Sequence, residues 1–333
     1  MKTIGFFNNK GGVGKTSLVY HVSWMLSEIG LRCIAADLDP QANLTSIFLD
    51  EDRLEELWQA SPRPTIYGAV SPQFRGTGDV HPPVIEVVGD KLGLIVGDLE
   101  LSRFEDDLSG AWPKCSDGDE RSFRVMSAFA RAVAMAGDSF DARVALVDVG
   151  PNLGALNRAV LLACDYVVVP LGADLFSLQG LRNMGPALRD WRRLWAERRA
   201  RNPAPDIVLP EGSMEPAGYI VMRHSVRLDR PARSFGRWIA RIPARYRDSV
   251  LAMPAEQPSA IADDPNCLAQ LKDYGSLMPM AQEARKPMFL LRPADGAFGG
   301  HMQAVQDCWI DFNALTIRIM ARCGVDLDPS DWL

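Results

Sequence analysis

A glycine-rich segment near the start of the chain, NNKGGVGKTS at residues 8–17, constrains the fold more than any other feature. It lies between an apolar, strand-like run and a helical pattern, where backbone N–H groups and a helix N-terminus together form an anion site. Glycines let such a loop curl without Cβ clashes, the lysine reaches the β- and γ-phosphates, and the threonine hydroxyl can ligate Mg²⁺. The predicted phosphate-binding residues are Gly11, Gly12, Val13, Gly14, Lys15, Thr16 and Ser17. The segment therefore predicts a P-loop rather than a glycine-rich turn without a ligand.

Short β-branched runs alternate with longer segments of 3.6-residue period along most of the chain. This alternation is typical of an α/β fold with three layers, in which a mostly parallel, twisted sheet carries helices on both faces. The predicted strands are Thr3–Asn8, Arg32–Asp37, Val84–Val88, Leu92–Val96, Arg143–Val149, Tyr166–Pro170, Ala217–Met222 and Pro287–Leu291. The predicted helices are Lys15–Ile29, Arg121–Ala136, Gly154–Ala163, Ser177–Arg199, Pro231–Ala244 and Gly300–Arg322.

Three proline-rich stretches interrupt the alternation, namely Ser61–Pro83, Asn202–Pro216 and Met253–Pro265. Each is predicted to be a loop or an insertion, because proline and glycine end regular elements. None is a polar linker of low complexity. We therefore expect a single domain over residues 1–333, with insertions at 50–83 and 202–216.

The composition indicates a globular protein of the cytoplasm. Apolar residues make up 47% and charged residues 23% of the 333 positions. Asp165 interrupts the best apolar run, so no segment approaches the ~18 residues of a membrane helix. The start of the chain lacks the apolar region of a signal peptide, and the six cysteines form no Cys-x-x-Cys pair. We expect reduced, buried cysteines.

Two positions in the P-loop depart from the general G-x-x-x-x-G-K-[ST] pattern. Asn9 occupies the first glycine position, and a second lysine, Lys10, precedes the two glycines. With these residues the chain resembles the ParA/MinD family of deviant Walker A ATPases, whose mark is K-G-G-x-G-K-[ST], and within it the Soj-like ParA proteins. The resemblance implies that ATP is sandwiched in a homodimer, with Lys10 contacting the phosphates bound by the partner subunit.

Carboxylates follow two of the predicted strands. Asp37 and Asp39 belong to DLDPQAN, which is similar to the D-x-D-P-Q-x-N box of ParA proteins. Carried over by position, Asp39 orients the attacking water and Asp37 lies nearer the Mg²⁺, although both could instead cap the following helix. Asp148 ends the run VALVD, as the metal-holding strand of a P-loop ATPase requires. The predicted catalytic residues are Lys10, Lys15 and Asp39, and the predicted metal residues are Thr16, Asp37 and Asp148.

The resemblance continues through ACDYVVVPL at 163–171, SLQGL at 177–181 and AQEARKP at 281–287. It is thinner at 50–143 and 202–216. In the family, loops after the later strands hold the base. Met222 and Arg223, together with the stretch after Phe289, occupy the corresponding positions and are the predicted adenine contacts.

The charge of the chain is distributed unevenly. The whole sequence carries −6, but the segment from Arg182 to Arg247 holds 15 arginines, no lysine and six acidic residues, a net +9. The remainder therefore carries −15. On the predicted helix, Arg182, Arg189 and Arg193 fall opposite the apolar stripe formed by Met184, Leu188, Trp191 and Trp195.

Such a basic face could bind DNA phosphates without reading sequence. The predicted DNA-binding residues are Arg182, Arg189, Arg193, Arg237 and Arg241. The alternative is a solvated helix face paired with local acids, since Asp190 and Glu197 lie nearby.

The resemblance implies an ATPase that is slow until a partner stimulates it. We expect ATP and Mg²⁺ as cofactors, nonspecific DNA and a ParB-like activator as partners, and a location on the bacterial nucleoid. Because the chain begins on the first strand, we expect no N-terminal DNA-binding domain.

Two alternatives remain open. A MinD-like membrane ATPase would need a basic amphipathic C-terminal helix, whereas residues 323–333 hold three acids and no base, so we expect no membrane partner. An ATP-dependent amide synthase of the same fold would instead turn over ATP in response to a metabolite.

Overall fold

The computed structural model describes residues 1–222, 232–254 and 260–327. Eight strands form one sheet in the order β3-β4-β2-β5-β1-β6-β7-β8, and all neighbours are parallel except β3 and β4. The strands are β1 (Lys2–Phe6), β2 (Cys33–Asp37), β3 (Ile85–Gly89), β4 (Leu92–Ile95), β5 (Val144–Asp148), β6 (Tyr166–Gly172), β7 (Glu215–Met222) and β8 (Cys267–Leu271). This arrangement confirms the predicted fold class.

Helices cover both faces of the sheet. They are α1 (Lys15–Glu28), α2 (Asn43–Phe48), α3 (Glu51–Gln59), α4 (Ile66–Arg75), α5 (Glu105–Lys114), α6 (Glu120–Met126), α7 (Ala128–Phe140), α8 (Ala155–Leu162), α9 (Leu175–Arg199), α10 (Ala232–Ile239), α11 (Ile242–Ser249), α12 (Met278–Ala284) and α13 (Gly300–Arg322). Short 3₁₀ segments lie at Leu99–Phe104, Cys115–Asp117, Ile261–Asp263, Met288–Leu290 and Pro293–Asp295. One apolar core lies between one face of the sheet and helices α4 to α9 and α11. A second lies between the other face of the sheet and helices α1, α12 and α13.

The register of the central strands positions the site. β5 lies between β1 and β2, and its last residue, Asp148, pairs with Phe6 of β1 and with Asp37 of β2. β2 and β5 are buried along their whole length, as parallel strands covered on both faces must be. The P-loop and both acidic motifs therefore emerge at the same edge of the sheet.

One predicted strand is wrong. Residues 287–291 contain the 3₁₀ segment Met288–Leu290 and no strand, and the eighth strand is β8 instead. Pro287 offers no backbone N–H to a ladder. Met288 and Phe289 are buried in the core that contains α1 and α13. The strand β8, CLAQL, is an edge strand too short and too weakly patterned to stand out in the sequence.

Several predicted boundaries also change. The helix predicted at 121–136 is two helices, α6 and α7, which meet at Ser127. The helix predicted at 231–244 is likewise divided into α10 and α11, and Pro243 lies in the first turn of α11. Proline is tolerated there because the first N–H groups of a helix have no partner within it.

The stretch Ser61–Pro83, predicted as a loop, contains α4. Thr65 caps this helix by accepting a hydrogen bond from the Gly68 N–H at 3.3 Å. Of the predicted loop Asn202–Pro216, residues 202–214 form no helix or strand, as predicted, but Glu215 and Pro216 begin β7. Of the third predicted loop, residues 255–259 lie outside the described part of the chain. The single-domain boundaries stay a prediction.

All six cysteines are free, and five of them are buried, as expected. Burial raises the pKa of the Cys33 and Cys164 thiols, which keeps them protonated. In the three described segments of the chain, no helix combines the length and the apolar character needed to cross a membrane.

Candidate nucleotide site

The P-loop turns from β1 into α1 through glycines in a backbone conformation that strains other residues. Gly12 and Gly14 have φ values of 71° and 85°, in the left-handed region that favours glycine. A Cβ at Gly14 would also lie 2.9 Å from the Cε atom of Met222, so that side chain would have to move. The turn therefore favours glycine at both positions.

Lys15 is held by the loop itself. Its Nζ donates to the carbonyl oxygens of Asn8 at 3.3 Å and Lys10 at 3.5 Å, and the residue is buried. Burial lowers the pKa of Lys15, while the charges of Asp148 and Asp39 oppose that effect. A buried ammonium whose hydrogen bonds go only to neutral carbonyl oxygens is suited to receive an anionic phosphate.

Asp37 and Asp148 bring unpartnered carboxylate oxygens together. Asp37 Oδ2 accepts hydrogen bonds from the N–H and hydroxyl of Thr45, both at 2.8 Å, but its Oδ1 accepts none. Neither oxygen of Asp148 has a hydrogen-bond partner of ordinary geometry, although both carboxylates are fully buried. Burial raises the pKa of each carboxyl. For Asp37, the hydrogen bonds from Thr45 oppose this rise in pKa and the charge of Asp39 adds to it. For Asp148, the charge of Asp37 adds to the rise in pKa and the nearby Thr16 hydroxyl opposes it.

These oxygens fit a magnesium site. Mg²⁺ is bound through one or two carboxylates plus substrate phosphates, and an unpaired buried carboxylate is otherwise costly. Asp148 and the Thr16 hydroxyl supply hard oxygen donors beside the P-loop. Among residues 1–222, 232–254 and 260–327, no three histidine, cysteine or acidic side chains are grouped to hold a metal by themselves.

Asp39 lies at the mouth of the same site. Its Oδ1 accepts the Gln41 N–H at 3.0 Å, and the side chain lines the cavity that faces the P-loop. A Cβ at Gly150 would lie 3.3 Å from Asp39 Oδ1, so the glycine leaves room for the carboxylate. A fixed carboxylate at this position can accept a proton or orient a water molecule.

Lys10 lies away from its own cavity. Its Nζ forms an ion pair with Asp174 Oδ2 at 2.6 Å and lies 6.0 Å from the ring of Phe176. Asp174 also caps α9, because its Oδ1 accepts the Ser177 N–H at 2.9 Å. Together these contacts direct Lys10 away from the phosphates of its own P-loop.

The cavity has a volume of about 640 Å³ and extends well beyond the P-loop. Its lining beyond the predicted residues comprises Tyr20, His21, Gln41, Asn43, Ser46, Ile47, Pro151, Met278, Ala281, Gln282 and Lys286. Met222 lies against Gly14 and is not among the residues that line this cavity, so its contact with adenine stays a prediction. Arg223 lies outside the described residues. That α12 forms a wall of the cavity was not predicted from the sequence. The motif AQEARKP at 281–287, whose first four residues end α12, could have indicated this wall.

His21 connects this wall to the P-loop helix. Burial lowers its pKa to about 4. An unfolded chain takes up this proton below about 6.5, so the folded state loses stability as the pH falls from about 6.5 to about 4. At about 1.4 kcal/mol per pKa unit the loss reaches about 3 kcal/mol. Between about pH 6.5 and about pH 4, the free energy of unfolding in urea should fall by about 3 kcal/mol more in the wild type than in His21→Leu; equal slopes would contradict the assignment.

Comparison with known proteins identifies the family. A family model described as an AAA domain, AAA_31, matches residues 1–195, more than half of the chain. The chain belongs to this ParA/MinD-like AAA family. Protein IncC of Escherichia coli is 31% identical over 193 residues, covering 58% of this chain and 47% of IncC. The chromosome partitioning protein ParA of Myxococcus xanthus is 28% identical over 178 residues, covering 53% and 54%. The chain spans about half the length of the curated relatives it matches.

Solved structures of similar fold cover nearly all of this AAA protein. The ATP complex of a Cyanothece McdA variant has a TM-score of 0.62 at 14% identity, covering 98% of this chain and 97% of that one. The structure of pNOB8 ParA bound to nonspecific DNA has a TM-score of 0.54 at 18% identity, covering 96% and 98%. At these identities the likeness establishes the fold.

The five predicted DNA-binding arginines of this AAA protein differ in whether their side chains bond to other parts of the chain. Arg189 was predicted to face solvent, but its guanidinium donates to the carbonyl oxygens of Ser249 and Val250, because α11 packs there. The apolar stripe predicted on the same helix is buried, as expected. Arg193 is exposed but pairs with Glu197 at 2.8 Å and Asp190 at 3.8 Å, as in the alternative interpretation.

The other three predicted DNA-binding arginines are exposed. Arg237 and Arg241 both stack near Trp238, with Cζ atoms 4.7 Å and 5.4 Å from the ring centroid. Arg182 lies on the first half of α9. Their roles in DNA binding stay predictions.

Proposed function

We propose that this chain is a ParA-type switch in which ATP and Mg²⁺ drive dimerisation. The ATP-bound dimer binds DNA nonspecifically, and hydrolysis releases it, so that repeated cycles position DNA or another cargo on the nucleoid. Hydrolysis is slow until a ParB-like activator stimulates it. The relatives named for partition and the fold shared with a DNA-bound ParA support this proposal.

The observation that carries the proposal is the division of the two P-loop lysines. Lys15 is buried beside the unpartnered carboxylate of Asp148, next to its own cavity. Lys10 is held outside that cavity by Asp174. This division supports a role for Lys15 at the phosphates of its own subunit and a role for Lys10 at those of a second subunit across a shared interface.

Different residues of this chain bind the nucleotide, hold the metal and promote hydrolysis. The backbone N–H groups of residues 11–17 and Lys15 bind the phosphates, while Thr16 and Asp148 would hold Mg²⁺, with Asp37 nearby. When bound, Mg²⁺ neutralises charge on the β- and γ-phosphate oxygens. Asp39 orients the attacking water, and Lys10 of the partner subunit stabilises the charge of the transition state. Met278, Ala281 and Gln282 form the wall that would hold the base.

Sedimentation velocity tests the switch directly. The Asp39→Ala protein should be a monomer with ADP and a dimer with ATP and Mg²⁺, and only the dimer should retain a DNA fragment of unrelated sequence. Retention should fall as salt rises, because phosphate contacts release counterions. ATP-independent DNA binding, or a monomer with ATP, would argue against the proposal.

Charge reversal should locate the DNA surface. We expect Arg182→Glu, Arg237→Glu and Arg241→Glu in one protein to lower DNA affinity by about tenfold or more and to reduce its salt dependence. Fluorescence anisotropy at several salt concentrations measures both, while dimerisation stays normal. Arg193→Gln is the matched control, since Arg193 is already paired with acids. Affinity unchanged in the triple variant would exclude this surface. Arg189 is a poor choice, because its replacement removes bonds to α11 carbonyls.

A further inference from the structure

We propose that His21 is a positioning residue that fixes the nucleoside-binding wall of the cavity to the P-loop helix. The inference rests on the proposed function, in that it concerns the nucleotide. His21 contributes to the affinity for the nucleoside part of the nucleotide, whereas the P-loop determines the affinity for the phosphates.

The cavity has two chemically different ends. At one end, the backbone of residues 11–17 and Lys15 are arranged for phosphate. At the other end, α12 contributes Met278, Ala281 and Gln282, which offer apolar surface and one amide. Apolar walls with a few polar groups suit a flat heterocycle. The nucleoside therefore belongs at the α12 end.

His21 connects the two ends through both ring nitrogens. Its Nδ1 lies 2.7 Å from the Ser17 carbonyl oxygen and therefore donates to it, because a carbonyl can only accept. Its Nε2 accepts the Met288 N–H at 3.2 Å. The pKa of about 4 keeps the ring neutral near pH 7, so that Nε2 has a free lone pair for this bond.

Aromatic packing restricts the orientation of the His21 ring. The side chain is buried and stacks on Phe312 with ring centroids 4.9 Å apart and an interplanar angle of 26°. Phe289 and Tyr20 meet the ring edge to face, with centroids 5.9 Å and 5.2 Å away. The ring therefore joins three separate elements: α1, the segment after α12, and α13.

The position of the wall depends on this junction. Met288 follows Lys286 by two residues, and Lys286 lines the cavity together with α12. Ser17, at the other end of the bridge, lies next to Thr16 in the first turn of α1. Without His21, Met288 loses the side chain that fixes it to α1, whereas Lys15 keeps its own contacts with the P-loop carbonyls.

The test compares two ligands that differ by the nucleoside. Isothermal titration calorimetry with Mg²⁺ should give His21→Leu about tenfold weaker binding of ATP than the wild type, with binding of inorganic tripolyphosphate within about twofold. His21→Gln, which can still accept from the Met288 N–H, should lie between the two. Phe312→Leu is the matched control: it loosens the packing around the same ring but keeps both hydrogen bonds, and should shift the ratio of the two affinities much less than His21→Leu does.

Each contrary outcome has a distinct meaning. Equal losses for both ligands in His21→Leu, or no loss for either, would overturn the inference. A ratio shifted as far by Phe312→Leu would show that general loosening of the core is responsible, and would overturn it as well. A wild-type chain that binds neither ligand would instead contradict the proposed nucleotide switch. A melting curve for each variant checks that the variant is folded.

Discussion

Asp39→Ala should slow ATP hydrolysis by about 100- to 1,000-fold while ATP affinity stays within about threefold. A positioned acid or base contributes about this much to proton transfer. Asp39 is held by the Gln41 N–H and lines the cavity, so its carboxylate is fixed before the nucleotide arrives. Lys15, Thr16 and Asp148 are unchanged in the variant, so the phosphates and Mg²⁺ keep their contacts.

Single-turnover release of phosphate measures the chemical step, and titration with a fluorescent ATP analogue measures affinity. Asp50→Ala is a suitable control, because Asp50 is an acid that caps α3 and lies outside the residues that line the cavity. Hydrolysis at the wild-type rate would remove Asp39 from the mechanism. A matching loss of ATP affinity would instead assign Asp39 to the binding of the nucleotide or its metal.

Lys10→Ala should abolish ATP-dependent dimerisation while each subunit still binds ATP. A charged hydrogen bond contributes about 1.5–3 kcal/mol, and a symmetric dimer loses two of them, so we expect the dimer to be weakened by at least about 100-fold. The side chains of the Lys10–Asp174 ion pair are 33% and 36% exposed, so the pair adds little to the stability of the subunit. The variant should therefore fold normally.

Sedimentation of Lys10→Ala with ATP, in the Asp39→Ala background, separates dimerisation from hydrolysis. Lys114→Ala provides a control for the loss of one exposed positive charge. Lys15→Ala provides the contrast, since that variant should lose ATP itself. Normal dimerisation of Lys10→Ala would contradict a role across the interface, and loss of ATP binding would place Lys10 in its own cavity.

The parts of the site that are local in sequence could be predicted from it. The P-loop, Asp39 and Asp148 each follow a strand directly, and parallel strands bring their carboxyl ends to one edge. The wall of the cavity could not be predicted in this way. His21 and Met288 are 267 positions apart, and their contact depends on how α12 and α13 pack on α1.

Arg189 shows a second limit. Helical periodicity places it opposite the stripe that packs on the sheet, and that part of the prediction is right. Periodicity says nothing about which other element covers the opposite side, and here α11 does, through the carbonyls of Ser249 and Val250. The last carbonyl groups of a helix have no donor within the helix. At the end of α11 they accept hydrogen bonds from the guanidinium of Arg189, which was expected to contact DNA.

The carboxylate of Asp174 interacts with two positive groups. One is the ammonium of Lys10, and the other is the partial positive charge at the start of α9. If Lys10 is drawn to another anion, the carboxylate is left to the helix alone and caps it more strongly. Part of the interaction energy lost with the ion pair is then regained as a stronger cap on the first turn of α9. A movement of Lys10 is thereby coupled directly to the stability of that turn, next to the P-loop.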